Sequence, residues 1–267
     1  MSSTDRTRAD GWAKDFSYDY YRKLLRTLRT NFDLRTLSEY RSRRPTDERV
    51  AFVRHDVDVC LERAVELARI EHELGVRSTY MVIPDTPLYD VEAERDLLHL
   101  IHEFGHEIAL HCDLNPSSGE DADATADGGL SPAELRRIED ARRRLESIDI
   151  QPVASVSFHR PSERVLEGPR TIAGMVNAYN SDLLSAYISD SSGRWREGDP
   201  IRSIAANATA DRLQVLTHPV WWGQRHAPPL ERFISVADEF ETLDERMYDE
   251  LVSIYAPYGE RTDRVVA

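Results

Sequence analysis

The chain has 267 residues, of which 40% are hydrophobic and 31% are charged, and its formal net charge is −14. This composition is typical of a globular protein long enough for one α/β barrel or two small domains, and it excludes a disordered chain. The acid excess argues against a nucleic-acid partner, whose phosphates would be repelled. We find no apolar run that could span a bilayer and no secretory-type segment after Met1, so we expect a cytoplasmic protein.

The chain alternates between strand-like and helix-like segments. We predict a flexible N-terminus over residues 1–15 and a single domain over residues 16–267, because no linker divides the latter. Strands are predicted at about 50–56, 78–83, 107–110, 153–158, 178–179, 186–188 and 213–216. Helices are predicted from about 16, from 61 to a stop at Gly75, from an N-cap at Asp90 to Gly105, from a capping box at 131–134, and over 230–255. Residues 172–176 suit a short helix or turn, and residues 116–130 suit a mobile loop. This order of elements favours a parallel sheet or an α/β barrel.

The stretch from Val53 to Asp58 ends an apolar run with charged side chains. Side chains alternate along a strand, so Asp56 and Asp58 face the same way, Arg54 shares that face, and His55 points to the other side. Two carboxylates this close raise each other's proton affinity unless a cation or hydrogen bonds intervene. A metal ion is the simplest compensation, with one carboxylate as ligand and the other as base. The alternative is a strand end with two solvated acids.

Three further predicted strands each end in histidine, at His111, His159 and His218. One such histidine is more often structural than functional. In a barrel of parallel strands, however, the C-terminal strand ends gather on one face, where active sites lie. The four coincident endings therefore predict one shared site, provided that the barrel closes.

Five stretches of the sequence carry a resemblance to a known family. They are His55-Asp-Val-Asp58, Gly105-His-Glu-Ile-Ala-Leu-His111, Ser157-Phe-His-Arg-Pro161, Tyr187-Ile-Ser-Asp-Ser-Ser-Gly-Arg-Trp195, and Leu216-Thr-His218 followed by Pro-Val-Trp-Trp222. With them the sequence resembles the polysaccharide deacetylase (NodB-homology, carbohydrate esterase family 4-like) superfamily, in a divergent branch associated with surface-polysaccharide biosynthesis. The resemblance covers residues 50–222 and is more specific in the first, second and fifth stretches than in the other two.

The resemblance implies both a fold and a set of roles. The fold would be an irregular (β/α) barrel, here with extra N- and C-terminal helices. Asp56 would be the general base for an attacking water that a divalent metal activates, and Asp58 and His111 would hold that metal. His218 would protonate the leaving amine, and Trp221 or Trp222 would form a wall of the sugar pocket. A metal, a base and an acid together suffice for amide hydrolysis.

This sequence departs from the family at one metal ligand. The family has a second histidine four residues after the first, and here that position is Asn115. Our first choice for the replacement is His159, because it ends a neighbouring predicted strand. Asp113 is the second choice, since it shares the face of His111, and Asn115 itself is a weaker oxygen ligand. Zn²⁺ suits a His-rich site best, and Co²⁺, Ni²⁺ and Mn²⁺ also accept Asp and His ligands.

Other polar and aromatic residues leave two interpretations open. Arg160 suits either a substrate contact or an ion pair with an acid. The compact turn from Asp190 delivers Trp195, which suits a sugar wall, whereas Asp190 itself is expected in a solvated turn. His106 is expected to be structural. Cys60 and Cys112 are expected to be small buried residues, although a thiolate ligand stays open.

The leading hypothesis is a metal-dependent hydrolase that removes an N-acetyl group from a carbohydrate. A cytoplasmic location would favour a nucleotide-linked or lipid-linked sugar precursor over a finished polymer. The alternatives are another metal-dependent C–N amidohydrolase on the same fold and a non-catalytic sugar-binding module. The replacement of the second histidine by Asn115 favours the last of these, and the presence of both aspartates disfavours it.

Overall fold

The computed structural model describes residues 15–42, 49–114, 129–195, 198–240 and 243–255. The strands are β1 Asp33–Arg35, β2 Val50–Val57, β3 Thr79–Val82, β4 Glu107–Asp113, β5 Ser155–His159, β6 Thr171–Ile172, β7 Met175–Asn177, β8 Ala186–Ser189 and β9 Arg212–Thr217. The helices are α1 Tyr18–Asn31, α2 Leu37–Ser42, α3 Leu61–Glu73, α4 Arg95–Glu103, α5 Pro132–Glu146, α6 Glu163–Leu166, α7 Pro200–Ala206, α8 Pro229–Ala237 and α9 Glu245–Tyr255.

The strands form one nine-stranded sheet in the order β6-β7-β5-β4-β3-β2-β9-β8, with β1 also beside β2. All neighbours are parallel except β6 and β7. Within the described ranges no strand pairing joins β6 to β8. The expected irregular (β/α) barrel is therefore present as a curled half-barrel, and a complete barrel is not shown, because β6 folds back antiparallel on β7 and makes an edge there.

The inner and outer faces of the sheet follow from strict alternation along each strand. On β2, Val53 and Val57 pack against the outer helices in the main hydrophobic core, while Phe52 belongs to a second, inner apolar cluster. That inner cluster also contains Met81 of β3 and Ala109 of β4. Arg54 and Asp56 have the same parity as Phe52, so they continue the inner face toward the C-terminal ends of the strands.

Most predicted elements lie within a few residues of the observed ones, and three do not. Residues 171–177 form a hairpin instead of a short helix or turn, because Ala173 and Gly174 both adopt positive φ, as a tight two-residue turn requires. Residues 178–179 follow β7 without forming a strand, and in place of the predicted C-terminal helix there are two helices, α8 ending at Ala237 and α9 beginning at Glu245.

One predicted helix start is observed, and another lies a few residues further along the chain. The capping box at Ser131 and Glu134 is present as predicted, with Pro132 in the first turn. Asp90 instead caps a turn, where its side chain accepts from the backbone N–H groups of residues 92 and 93, and α4 begins only at Arg95. The predicted flexible N-terminus and mobile loop lie, but for residues 15, 129 and 130, outside the described residues. None of the described helices is long and apolar enough to cross a membrane.

Candidate active site

The strand ends named in the sequence analysis meet at one place on the inner face. Nε2 of His111 lies 3.3 Å from Oδ1 of Asp58 and 3.7 Å from Oδ2 of Asp56. Nδ1 of His159 lies 3.5 Å from the same Oδ1 of Asp58. Nε2 of His218 lies 3.9 Å from Oδ2 of Asp58. The side chains come from β2, β4 and β5 and from residues that directly follow β2 and β9, so the parallel sheet itself assembles the site.

Asp58, His111 and His159 have the donor set and the spacing of a metal site. One ligand atom from each lies within 4.8 Å of the other two, and all three side chains are buried. Oδ1 of Asp58 is buried and makes no hydrogen bond within the described part of the chain. A buried carboxylate oxygen without a donor is costly unless a cation compensates it. The residues present therefore fit a divalent ion with one oxygen and two nitrogen ligands.

The imidazole rings of His111 and His159 are contacted from the sides that face away from Asp58. Oγ of Ser157 lies 2.6 Å from Nδ1 of His111, which leaves Nε2 of that ring facing the carboxylates. Oε1 of Glu250, on α9, lies at an ion-pair distance of 3.3 Å from Nε2 of His159, and this nitrogen makes no hydrogen bond among the described residues. Burial alone would lower the pKa of His159, but Asp58 and Glu250 raise it to about 10, so a metal ion that bound this ring would displace a proton. Such outer contacts fix the orientation of metal-binding histidines.

Asp56 is held as a carboxylate by Arg54, as its position on the same face predicted. Nε and Nη2 of Arg54 donate to the two carboxylate oxygens of Asp56 at 2.7 and 2.6 Å. Burial opposes ionisation of Asp56, but the charge and hydrogen bonds of Arg54 outweigh it, and the pKa of Asp56 stays below its ordinary value. Arg54 is itself completely buried, and its Nη2 also donates to the hydroxyl of Tyr179 at 3.0 Å. Asp56 is thus ionised and oriented at neutral pH, as a general base must be.

Asp190 orients His218, a role that the sequence did not reveal. Oδ1 of Asp190 lies 2.6 Å from Nδ1 of His218, and both carboxylate oxygens accept from the backbone N–H of His218. Burial lowers the pKa of His218, and Asp190 raises it to about 9. Asp190 is fully buried, which corrects the expectation of a solvated turn. It follows β8, the strand beside β9, so the strand-end rule applied to β8 would have found it.

Replacing Asp190 by asparagine is expected to lower the pKa of His218 from about 9 toward its ordinary value of 6.5. The substitution keeps an oxygen acceptor but removes the charge that stabilises the imidazolium. NMR titration of the His218 ring protons measures this directly. Asp182→Asn, in the same part of the chain, is the control and should leave the titration of His218 unchanged. An unaltered His218 titration in Asp190→Asn would contradict the assignment.

A cavity of about 600 Å³ opens above Asp56, Asp58, His111 and His218. Arg160 and Trp221 line it, as the sequence analysis expected of substrate-binding residues. Tyr179, which the sequence analysis did not single out, lines it as well. Its other walls include Phe158, Leu184, Tyr187, Ser191, Ser192 and Leu216. The volume lies within the range of pockets that hold a small organic ligand, roughly 300–1,000 Å³.

Trp195 and Trp222 lie elsewhere, and the expectation that they form a wall of the sugar pocket is corrected. Both rings are buried in an aromatic cluster with Phe16, whose ring centroid lies 6.0 Å from that of Trp195 and 5.2 Å from that of Trp222. Nε1 of Trp222 donates to Oδ2 of Asp190 at 3.0 Å. The ring of Trp222 therefore lies in the core, and it supports the site indirectly through its hydrogen bond to Asp190.

The described candidates for the third metal ligand differ in whether they join the cluster of Asp58 and His111. Asp113 ends β4 and lines a second cavity, beyond His159, and it is outside the cluster of possible ligands. Asn115 lies outside the described residues. Burial raises the pKa of both Cys60 and Cys112 to about 12, which disfavours a thiolate at either position. Among the described residues, His159 is the one that joins Asp58 and His111.

Comparison with known proteins gives distant structural resemblances. No family model matches the chain, and no curated protein matches it. A CE4 family pseudoenzyme from Bacillus anthracis is 14% identical with a TM-score of 0.41, over 82% of this chain and 64% of that one, less than two thirds of its length. The Streptococcus pyogenes deacetylase PplD, solved in complex with acetate, is 13% identical with a TM-score of 0.40, over 88% and 92%. The peptidoglycan deacetylase PdaC from Bacillus subtilis is 13% identical with a TM-score of 0.36, over 81% and 95%. These structures are too distant to define the fold, which follows from the strand order and register of this chain.

Proposed function

We propose that this protein is a metal-dependent hydrolase that removes an N-acetyl group from a carbohydrate. The observation that carries the proposal is the buried oxygen of Asp58 without a hydrogen bond, lying between His111 and His159. Beside it lie an ionised carboxylate, Asp56, and an imidazolium, His218, which supply a base and an acid. The carbohydrate substrate is supported by the sequence resemblance to polysaccharide deacetylases and by aromatic side chains in the cavity walls.

The metal would be held by Asp58, His111 and His159. When bound, it would lower the pKa of a water molecule and polarise the amide carbonyl of the substrate. Asp56 would accept the proton that this water loses as its oxygen attacks the acetyl carbon. His218 would donate a proton to the amine nitrogen as the C–N bond breaks. The products are a free amine and acetic acid, which releases its proton to solvent as acetate, and transfer of the proton on Asp56 to His218 restores both residues.

The aromatic and apolar walls have a separate role in this proposal. They exclude water from the reacting atoms and offer ring faces to the apolar face of a sugar. Tyr187 is the most exposed of the aromatic residues that line the cavity, with 38% of its surface accessible, and its position suits contact with an incoming sugar ring. Arg160 and the hydroxyls of Ser191 and Ser192 supply hydrogen-bonding groups.

His159→Ala tests the metal site. We expect the parent protein to carry close to a single equivalent of divalent metal by mass spectrometry, and we expect His159→Ala to lose it together with acetate release from N-acetylated sugars. Asp113→Ala is the matched control, since Asp113 lies two residues after His111 but lines the second cavity. Metal retained in His159→Ala and lost in Asp113→Ala would mean that Asp113, and not His159, is the third ligand. Absence of metal in every form, even after reconstitution, would favour a non-catalytic sugar-binding module.

A further inference from the structure

The candidate active site is one of two adjoining cavities. The reaction cavity, of about 600 Å³, contains Asp56 and His218, and the outer cavity has a volume of about 730 Å³. Three residues line both of them: His159, Arg160 and Ser253. If the two cavities were joined, they would form one groove through the site. The three shared residues lie between the cavities and separate them.

A set of contacts between the end of β5 and helix α9 makes this separation, and we name it the α9 bridge, formed by Arg160, Glu250 and Ser253. Nη2 of Arg160 donates to Oε1 of Glu250 at 2.6 Å and to Oγ of Ser253 at 2.7 Å. The same Oε1 lies 3.3 Å from Nε2 of His159. Helix α9 is therefore joined to the residue that follows the third proposed metal ligand and to that ligand itself.

The backbone of Arg160 supports a specific role for the α9 bridge. Arg160 has a φ of 50°, in the left-handed region that costs a non-glycine residue roughly 1–2 kcal/mol. The side chain of Arg160 is 43% exposed, so its ion pair with Glu250 contributes little stability by itself. Strained residues that persist in folded proteins cluster at active sites and ligand-contacting segments. The left-handed backbone of Arg160 is thus better explained by the position that it gives the side chain than by the energy of the ion pair with Glu250.

The outer cavity differs from the reaction cavity in charge. Its lining includes the carboxylates of Asp85, Asp113, Asp244, Glu245, Asp249 and Glu250. Arg160 and Arg246 are the arginine side chains in the same lining. An anionic saccharide that extended past the α9 bridge would meet this acid excess, whereas the reaction cavity is mostly apolar around its catalytic floor. Like charges brought together in this way disfavour binding.

We infer that the α9 bridge confines the substrate to a single acetylated sugar, either free or at the end of a chain, and that it excludes the interior units of a long polysaccharide. This inference rests on the proposed function and specifies its substrate class. An interior unit must leave the cavity on two sides, and one of those sides is occupied by Arg160 and α9. The substrate predicted is therefore a short, uncharged N-acetylated saccharide or the terminal residue of a longer one.

The test compares N-acetylglucosamine with its oligomers of increasing length. We expect kcat/KM of the wild-type protein, measured by acetate release, to fall as the oligomer lengthens. In Arg160→Gly the ratio of kcat/KM for long to short oligomers should rise about tenfold or more. Glycine tolerates the positive φ at this position, so the variant should fold. Arg246→Ala is the matched control, because it removes an arginine from the outer cavity without touching the α9 bridge, and it should keep the wild-type ratio.

The possible outcomes separate the inference from the proposed function. Equal kcat/KM for short and long oligomers in the wild type, or the same change in Arg246→Ala as in Arg160→Gly, would overturn the inference and leave the hydrolase proposal standing. If the metal-loaded wild type releases no acetate, the hydrolase proposal fails, and the same inert oligomers then give dissociation constants by calorimetry. Tighter binding of short oligomers that is lost in Arg160→Gly would support the α9 bridge, and binding that is absent or independent of length would overturn it.

Discussion

Asp56→Asn is expected to lower kcat for acetate release by about 10²–10⁴-fold while bound metal stays at the parent level. The carboxylate of Asp56 is ionised because Arg54 donates two hydrogen bonds to it, and an asparagine amide cannot accept a proton from water. The proposed metal ligands remain in place in this variant, because none of them is changed. Steady-state rates and metal analysis of the same preparation measure both quantities.

The same substitution also affects folding, and the experiment has to separate the two effects. Arg54 is completely buried, and removing its charged partner is expected to cost about 3–5 kcal/mol of the free energy of unfolding. Denaturant unfolding therefore accompanies the kinetics, and rates are compared only where both proteins are folded. Tyr179→Phe is the control, since it removes another acceptor from the same guanidinium and leaves the base intact. A loss of kcat in Tyr179→Phe as large as that in Asp56→Asn would contradict the role of Asp56 as base.

The part of the site that could be predicted from the sequence is the part that alternation along strands determines. An apolar run followed by a polar residue predicts both that a strand ends and which face its last side chain takes. This is why Asp56, Asp58, His111, His159 and His218 were predicted together, and why the position of Arg54 was predicted from that of Asp56. The sheet closes less than a barrel would, but the strands that carry these residues are consecutive in it or separated only by β3.

The rest depends on contacts between segments that are far apart in the chain. Glu250 approaches Arg160 across 90 positions, on a helix whose sequence shows only an amphipathic pattern. Asp190 follows β8, but the histidine that it contacts, His218, lies 28 positions further along the chain. Trp195 and Trp222 were assigned to the cavity because aromatic residues near a proposed acid suit a sugar wall, yet burial of large rings in the core is an equally strong drive. The local sequence pattern could not decide whether these rings lie in the cavity wall or in the core.

A second charged group, Glu71, lies on the other face of the sheet, under the site. It is completely buried on α3 and accepts hydrogen bonds from the hydroxyls of Tyr21 and Tyr80. One of its oxygens lies 2.8 Å from Nε2 of His55, whose Nδ1 lies 2.6 Å from the hydroxyl of Thr217. His55 lies between Arg54 and Asp56 in sequence, and Thr217 precedes His218. Glu71 therefore joins helix α3 to the strand ends that carry the proposed base and acid.

Glu71→Gln is expected to lower the free energy of unfolding by about 3 kcal/mol at neutral pH, or the melting temperature by roughly 10 °C. Burial opposes ionisation of Glu71, but its interactions with His55, His106 and Tyr21 outweigh it and lower the pKa of Glu71 from its ordinary value of 4.5 to about 2. A group whose pKa is lower in the folded state stabilises the protein above the unfolded-state pKa. This stabilisation is present above pH 4.5 and is lost as the pH falls toward 2, so the difference between wild type and variant should shrink over that window.

Urea unfolding at neutral pH and at several acidic pH values measures this dependence. Glu66→Gln is the matched control, because Glu66 is on the same helix, is about half exposed and approaches Arg69 only to 3.9 Å. That variant should change the free energy of unfolding by no more than about 0.5 kcal/mol at any pH. A cost for Glu71→Gln that is equally large at both ends of the pH range would mean that the shape of the side chain matters and its charge does not. A pH-dependent cost, together with a loss of acetate release in the folded variant, would mean that the ionised Glu71 holds the strand ends of the site in register.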